Sequence, residues 1–133
     1  MNWKFIVSVI VTFVLLFALG WLVHGGLLNA DYAKLPNLMR PMVEVRGNIL
    51  FMLAAQLSTA VAFTWIYLKG KEDKPWLAQG IRYGIAVALL VTVPVNLVHY
   101  AVMPFPLDFI FKAMALDAVT IVLMGAVVAW INR

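Results

Sequence analysis

Apolar residues are gathered into four long runs, at residues 5–28, 48–68, 83–102 and 107–131. Each run is close to or longer than the ~20 residues that an α-helix needs to cross the hydrocarbon core of a bilayer. The polar segments between the runs are short, so consecutive helices must pack antiparallel. The pattern predicts an all-α fold, a membrane four-helix antiparallel bundle.

The loop residues set the expected ends of these helices. Pro41 suits the start of a helix, which extends the second helix back to residue 42. Pro104 and Pro106 make the last turn short and stiff. The expected transmembrane helices form one domain over residues 1–133 and cover about 5–28, 42–68, 77–102 and 107–131.

The first run also has features of a secretory signal. Lys4 precedes an apolar core, and the small residues Ala18 and Gly20 resemble a cleavage site. The apolar run continues past them to residue 28 and is longer than a typical signal core. We therefore expect the first helix to be retained.

The overall composition agrees with a membrane protein. Hydrophobic residues make up 65% of the chain and charged residues 12%, and the mean hydropathy is +0.97. Soluble domains carry about a quarter charged residues, so this class is excluded. The longest connection, residues 29–47, is too short to bury a core of its own. The chain has no cysteine, which excludes disulfides, thiolate metal sites and thiol redox chemistry.

Lysine and arginine residues indicate the orientation. With four spans, both termini and the loop at 69–76 share one side of the membrane. That side has six of these residues: Lys4, Lys69, Lys71, Lys74, Arg82 and Arg133. The other side has four: Lys34, Arg40, Arg46 and Lys112. Because the excess marks the cytoplasmic side, we expect both termini to be cytoplasmic.

The net charge of +4 has the same explanation. It reflects orientation and attraction to anionic lipids of the bilayer. Basic residues are not interleaved with aromatic ones in any tract, so nucleic acid is not an expected partner.

Polar residues inside the spans fall in the outer half of the membrane. At ~1.5 Å per residue, His24 and His99 lie ~5 Å from the outer ends of their helices, Asn96 ~9 Å, Gln56 ~12 Å and Asp117 ~15 Å. Two threonines share helix faces with these residues, Thr92 with Asn96 and His99, and Thr120 with Asp117. The spacing predicts an outward-facing polar pocket with Asp117 at its floor and the histidines at its mouth.

Each of these residues has a structural and a functional interpretation. His24 and His99 either form hydrogen bonds at the interface or act as ligands of a metal or haem. Asn96 and Gln56 are typical of hydrogen bonds between helices. Asp117 is costly in an apolar span and needs a partner. It is either protonated and bonded to Asn96 or Gln56, or paired with a cation on another helix.

Small residues predict where helices approach closely. Gly80, Gly84 and Ala88 form one ladder at four-residue spacing, with Gly125 and Ala129 as a weaker instance. The residues Ala54, Ser58 and Ala62 form a second ladder. We expect both ladders to make contacts within the bundle, and the alternative is a subunit interface.

Two segments resemble parts of small bacterial four-helix membrane proteins of unknown function. One is the stretch WLVHGGLL at 21–28, followed by Asp31 and Tyr32, and the other is the loop YLKGKEDKPW at 67–76. The resemblance implies the same topology and a bacterial inner membrane, and it brings no activity or cofactor with it. It adds Asp31 and Tyr32 to the candidate pocket, where His99 can approach them.

Three functions remain open. The first is a non-catalytic accessory or structural subunit, whose partners would be other membrane subunits or further copies of the chain; the absence of a reaction motif favours it over an enzyme. The second is a protein that binds or transports a proton, a metal ion or a small amphiphile through Asp117, His24 and His99. The third is a haem-binding or metal-binding component of a membrane enzyme, using the histidines.

Overall fold

A computed structural model describes residues 2–133. Within that range the chain forms helices and turns and no β-strand, so the all-α prediction is confirmed. The elements are α1 (Trp3–Leu27), α2 (Asn29–Ala33), α3 (Met42–Gly47), α4 (Ile49–Gly70), α5 (Trp76–Val102) and α6 (Leu107–Ile131). Four of them, α1, α4, α5 and α6, are long and apolar enough to cross a membrane.

Several helix ends differ from the expected ones. The first helix begins earlier, at Trp3, because the Asn2 side chain accepts a hydrogen bond from the Lys4 amide at 3.0 Å and caps the first turn. The expected helix at 42–68 is two helices, α3 and α4, which are separated at Asn48. Helix α5 begins at Trp76, directly after Pro75. Helix α6 has the expected bounds.

The four long helices run antiparallel around a shared core. Helix α5 packs most extensively on α6, and α1 packs on both α4 and α6. The end at which the chain begins and ends is called here the terminal end, and the opposite end, near Leu27 and Leu107, is called the pocket end. The buried core near the terminal end consists of Leu16, Ala60, Phe63, Tyr67, Met124, Val128 and Ala129.

Glycines allow α5 and α6 to approach closely. A Cβ atom on Gly80 would lie 2.5 Å from the carbonyl oxygen of Gly125, and one on Gly84 would lie 2.6 Å from the Cα of Val122. The expected contact within the bundle is therefore confirmed for this ladder. Small residues permit such close packing, which contributes much of the association energy between membrane helices.

The second small-residue ladder behaves differently. Ala54, Ser58 and Ala62 are all exposed on the surface of the single chain. The expectation that they contact another helix of the bundle is wrong, because the buried face of α4 is a different one. That face contains Ala60, Phe63, Thr64 and Tyr67.

Two helices widen into π-helical turns. One turn occupies Trp21–Leu27, the last part of α1, and the other occupies Ala88–Thr92 of α5. The second lies just before Pro94, which lacks an amide hydrogen and disturbs the α-helical hydrogen bonds. Wide turns of this kind are frequent at functional sites.

Helices α1 and α6 are offset along their axes. His24 lies three residues before the end of α1, whereas Asp117, its partner, lies ten residues after the start of α6. At 1.5 Å per residue, α6 therefore extends roughly 10 Å beyond α1 at the pocket end. The extension packs on the loop that follows α1, in a second core formed by Val23, Leu28, Phe105, Phe109, Ile110 and Ala113.

Candidate functional site

Three polar side chains from separate parts of the chain form a hydrogen-bonded line at the pocket end. The Nδ1 atom of His24 is 2.6 Å from the hydroxyl of Tyr32. The Nε2 atom of His24 is 3.0 Å from Oδ1 of Asp117. The imidazole thus joins α2 to α6, and it provides the partner on another helix that Asp117 requires.

Local structure positions each member of this line. His24 lies within the π-helical turn of α1, which places its ring toward α6. Tyr32 lies on α2 and packs edge-on against Phe109, with 5.2 Å between the ring centroids. Beside the line, Asp31 accepts a hydrogen bond from Lys112 at 2.9 Å, which also fastens α2 to α6.

The hydrogen bonds define how the line can hold a proton. Burial, with a smaller effect from the charge of Asp117, raises the pKa of Tyr32 to about 12, so the phenol stays protonated at physiological pH. When His24 is neutral, the phenol donates to Nδ1 and the Nε2 hydrogen is donated to Asp117. When His24 is protonated, both ring nitrogens donate and an ion pair with Asp117 results. The line can therefore take up one proton without losing its geometry.

The line borders a cavity of about 320 Å³. The cavity is lined by α1, the connection that follows it, α5, α6 and the turn between α5 and α6. Its lining residues are His24, Tyr32, Leu38, Met39, Val95, Asn96, His99, Met103, Phe105, Phe109, Ile110, Ala113 and Asp117. Most of these side chains are apolar or aromatic. A few polar groups among apolar walls are typical of sites for small molecules.

The structure brings five of the candidate residues to this cavity and leaves four outside it. His24, Tyr32, Asn96, His99 and Asp117 line the cavity. The four that do not are Gln56, Thr92, Thr120 and Asp31.

Gln56 lies next to another helix and not next to Asp117. Its Nε2 atom is 3.9 Å from the position that a Cβ on Gly20 would occupy. The residue therefore lies at the contact of α4 with α1. The two threonines form hydrogen bonds within their own helices. The Thr120 hydroxyl donates to the Leu116 carbonyl, and the Thr92 backbone carbonyl accepts from the Asn96 side-chain amide.

Asp117 does not lie deeper than His24. The expected depths placed the carboxyl group ~10 Å below the imidazole, because each depth was counted from the end of its own helix. The two side chains are in direct contact, and the axial offset of α6 accounts for the difference. His24 and Asp117 keep 42% and 31% of their side-chain surface exposed, so neither is fully buried.

The donors around the histidines do not form a set of metal ligands. Both ring nitrogens of His24 already have hydrogen-bond partners. Among the described residues, no three or more His, Cys, Asp or Glu side chains are placed to share a metal ion. His99 stands beside Phe105, with 6.4 Å between the ring centroids.

The chain matches no protein-family model, no curated protein and no solved structure. The site therefore has to be interpreted from its own chemistry. Its unused polar atoms include two hydrogen-bond acceptors. The Oδ2 atom of Asp117 and the Oδ1 atom of Asn96 have no partner among residues 2–133. Phe105 and Phe109 line the same cavity and stack on each other, with 5.5 Å between the ring centroids.

A second polar cluster lies at the terminal end and was not foreseen from the sequence. The buried Asn132 side chain donates to the Ser8 hydroxyl at 2.9 Å and to the Val128 carbonyl at 2.8 Å. Its own backbone carbonyl accepts from Lys71 at 2.6 Å. The only sequence signal is a single Ser and a single Asn near helix ends, which is common in membrane helices. The cluster fastens α1 to α6 and has a structural role.

Proposed function

We propose that this protein crosses a membrane and binds a small amphiphilic molecule in the cavity at its pocket end. The observation that carries the proposal is the line Tyr32, His24 and Asp117 at the wall of an otherwise mainly apolar cavity. Ionisable groups in membrane helices are costly and mark functional sites more often than structural ones. The apolar lining would hold the hydrocarbon part of the ligand, and the polar line would hold its head group.

The proposed orientation has both termini in the cytoplasm of a bacterium and the chain in the inner membrane. The excess of Lys and Arg at the terminal end supports it. Aromatic residues support the same boundary, since Lys69 lies over the ring of Trp65 and Arg133 over that of Trp130. A cysteine accessibility map tests it: labelling of positions 71 and 133 from opposite sides of the membrane would contradict the topology.

A photoreactive dodecanol analogue tests the binding site. In lipid nanodiscs, we expect it to label residues of the cavity. Ala113 is buried in the cavity wall, whereas Ala115 is exposed on the same helix. Ala113→Leu should fill part of the cavity and reduce labelling, and Ala115→Leu should not.

The folded state of each variant is checked by its thermal transition. If Ala113→Leu does not fold, Met39→Trp fills the cavity from the connecting segment and replaces it. Equal labelling in wild type, Ala115→Leu and the folded cavity-filling variant would contradict the proposed site.

A second candidate function is that of a non-catalytic accessory subunit. The exposed ladder Ala54, Ser58 and Ala62 favours it, because small residues permit close contact with a helix of another chain. Extraction in mild detergent at native expression should then recover a complex with another subunit. Ala54→Leu should weaken that complex. Recovery of free monomers and homo-oligomers alone would rule this function out.

A further inference from the structure

The polar atoms that remain free in the cavity define the head group of its ligand. Both ring nitrogens of His24 already have hydrogen-bond partners, Tyr32 and Asp117, so His24 offers no free nitrogen to a ligand. The free atoms include two oxygen acceptors, Oδ2 of Asp117 and Oδ1 of Asn96, together with the ring nitrogens of His99. A ligand that donates hydrogen bonds complements the two oxygen atoms, whereas a carboxylate or phosphate does not.

The carboxyl group and the aromatic rings of the cavity favour a ligand with a cationic head group. Asp117 is the one carboxyl side chain among the described residues that line the cavity, and its Oδ2 atom has no partner among them. Phe105 and Phe109 present stacked rings at the same cavity. Aromatic faces attract ammonium groups within about 6 Å of the ring centroid. A protonated amine can therefore meet a carboxylate, an amide oxygen and aromatic rings together.

The arrangement of the helices provides room for an apolar tail. Helix α4 meets α5 near the terminal end, where the Tyr83 hydroxyl donates to the Phe63 carbonyl at 2.5 Å. Toward the pocket end, α4 makes no extensive contact with residues 88–102 of the described chain. No described residue of α4 lines the cavity, whereas Val95 lines it and is 46% exposed. The wall of the cavity is thus partly exposed at Val95 of α5.

We propose that the ligand is an amphiphilic amine, whose protonated head binds Asp117 and whose tail lies along the apolar wall of the cavity at Val95. The inference rests on the proposed function and specifies its ligand class. It follows from charge complementarity at Asp117 and from the apolar cavity wall, which is partly exposed at Val95.

The amine assignment is tested with probes that share one alkyl chain and differ only in their head groups. The probes are photoreactive dodecylamine, dodecanol and dodecanoate, each measured in nanodiscs of uncharged lipid and compared at equal concentration within the bilayer. We expect dodecylamine to bind wild type roughly tenfold to a hundredfold more tightly than dodecanol, as expected for a hydrogen bond to a charged group. Dodecanoate should bind most weakly. Ethylamine has the same head without the tail and should not compete.

Variants of two carboxyl residues show which carboxyl group causes the preference for the amine. Asp117→Asn should bring the ratio of amine to alcohol affinity close to one. Asp108→Asn should keep the wild-type ratio, because Asp108 is exposed on the same helix and does not line the cavity.

The outcomes separate the two proposals. Equal binding of amine and alcohol by wild type would overturn the amine assignment, and labelling of the cavity by dodecanol would still support the proposed function. An amine preference that persists in folded Asp117→Asn would also overturn the assignment. If none of the probes labels the cavity, the proposed function itself fails. The comparison of head groups in wild type needs no variant, so it decides the assignment even if Asp117→Asn does not fold.

Discussion

Alanine at Gly80 or Gly84 is expected to destabilise the contact between α5 and α6. The added Cβ on Gly80 would lie 2.5 Å from the Gly125 carbonyl oxygen and 2.6 Å from the Ala129 Cβ. Nonbonded carbon atoms pack best at ~3.5–4.0 Å, so the two helices would have to separate by roughly 1 Å. Helix backbone lies on both sides of this contact, and it cannot rotate away as a side chain can.

The expected cost follows from the loss of packing. A gap of ~0.5–1 Å forfeits a quarter to a half of each dispersion contact, and α5 on α6 is the most extensive helix contact in the bundle. Overpacking of this kind costs about 1–3 kcal/mol. We expect Gly80→Ala and Gly84→Ala each to lower the free energy of unfolding by that amount.

Two other glycines provide matched controls. A Cβ on Gly47 or Gly70 would have no neighbouring atom within 4 Å among the described residues. Gly47→Ala and Gly70→Ala should be neutral or stabilising, by up to ~1 kcal/mol from the higher helix propensity of alanine. Unfolding in mixed micelles with increasing detergent denaturant measures all four variants. The reasoning is refuted if the variants of α5 are as stable as these controls.

Three further predictions concern single polar side chains. The phenol of Tyr32 should ionise at about pH 12, as measured by the difference in phenolate absorbance between wild type and Tyr32→Phe. Because the pKa is raised from 10.0, the stability due to this phenol is present below pH 10 and is lost as the pH rises toward 12; a Tyr32 titration near pH 10 would contradict its burial. Ser8→Ala should reduce the free energy of unfolding by ~1 kcal/mol, since it removes the acceptor of a buried Asn132 hydrogen bond; no change would argue against that bond. Thr12→Val should not destabilise the bundle, because the buried Thr12 hydroxyl has no partner among the described residues; a loss of stability would reveal one.

The number and approximate extent of the long helices could be predicted from the sequence, because an apolar run of sufficient length has few alternatives to a spanning helix. The break at Asn48 could not be predicted in the same way. The apolar run begins at residue 48, and the expected start at residue 42 depends on Pro41 alone. The backbone of Asn48 departs from helical geometry, with φ −100° and ψ 14°, and Gly47 directly before it weakens a helix without fixing where the helix ends.

The ladders of small residues also show what cannot be predicted from the sequence. Gly80 with Gly84 and Ala54 with Ser58 have the same spacing and composition class, yet only the first ladder is covered. Spacing predicts that a helix face permits close approach, but it does not determine which helix, if any, covers that face. The partner depends on how all four helices pack together, and this is a property of the folded chain.

The position of Asp117 depends on the offset between two helices, which hydrophobicity alone cannot specify. Counting from helix ends assumes that every helix begins at the same membrane boundary. Helix α6 begins farther out at the pocket end than the point where α1 ends, because its first turns pack on the connection after α1 through Leu28 and Phe109. Lys112 is consistent with this offset, since it reaches Asp31 outside the long helices. In the proposed orientation Asp117 therefore lies nearer the membrane surface than the middle of the bilayer, and a polar side chain costs less near the surface. This position and the hydrogen bond to His24 account for a carboxyl group in an apolar helix, and the same position lets Asp117 meet the head group of an amphiphilic amine.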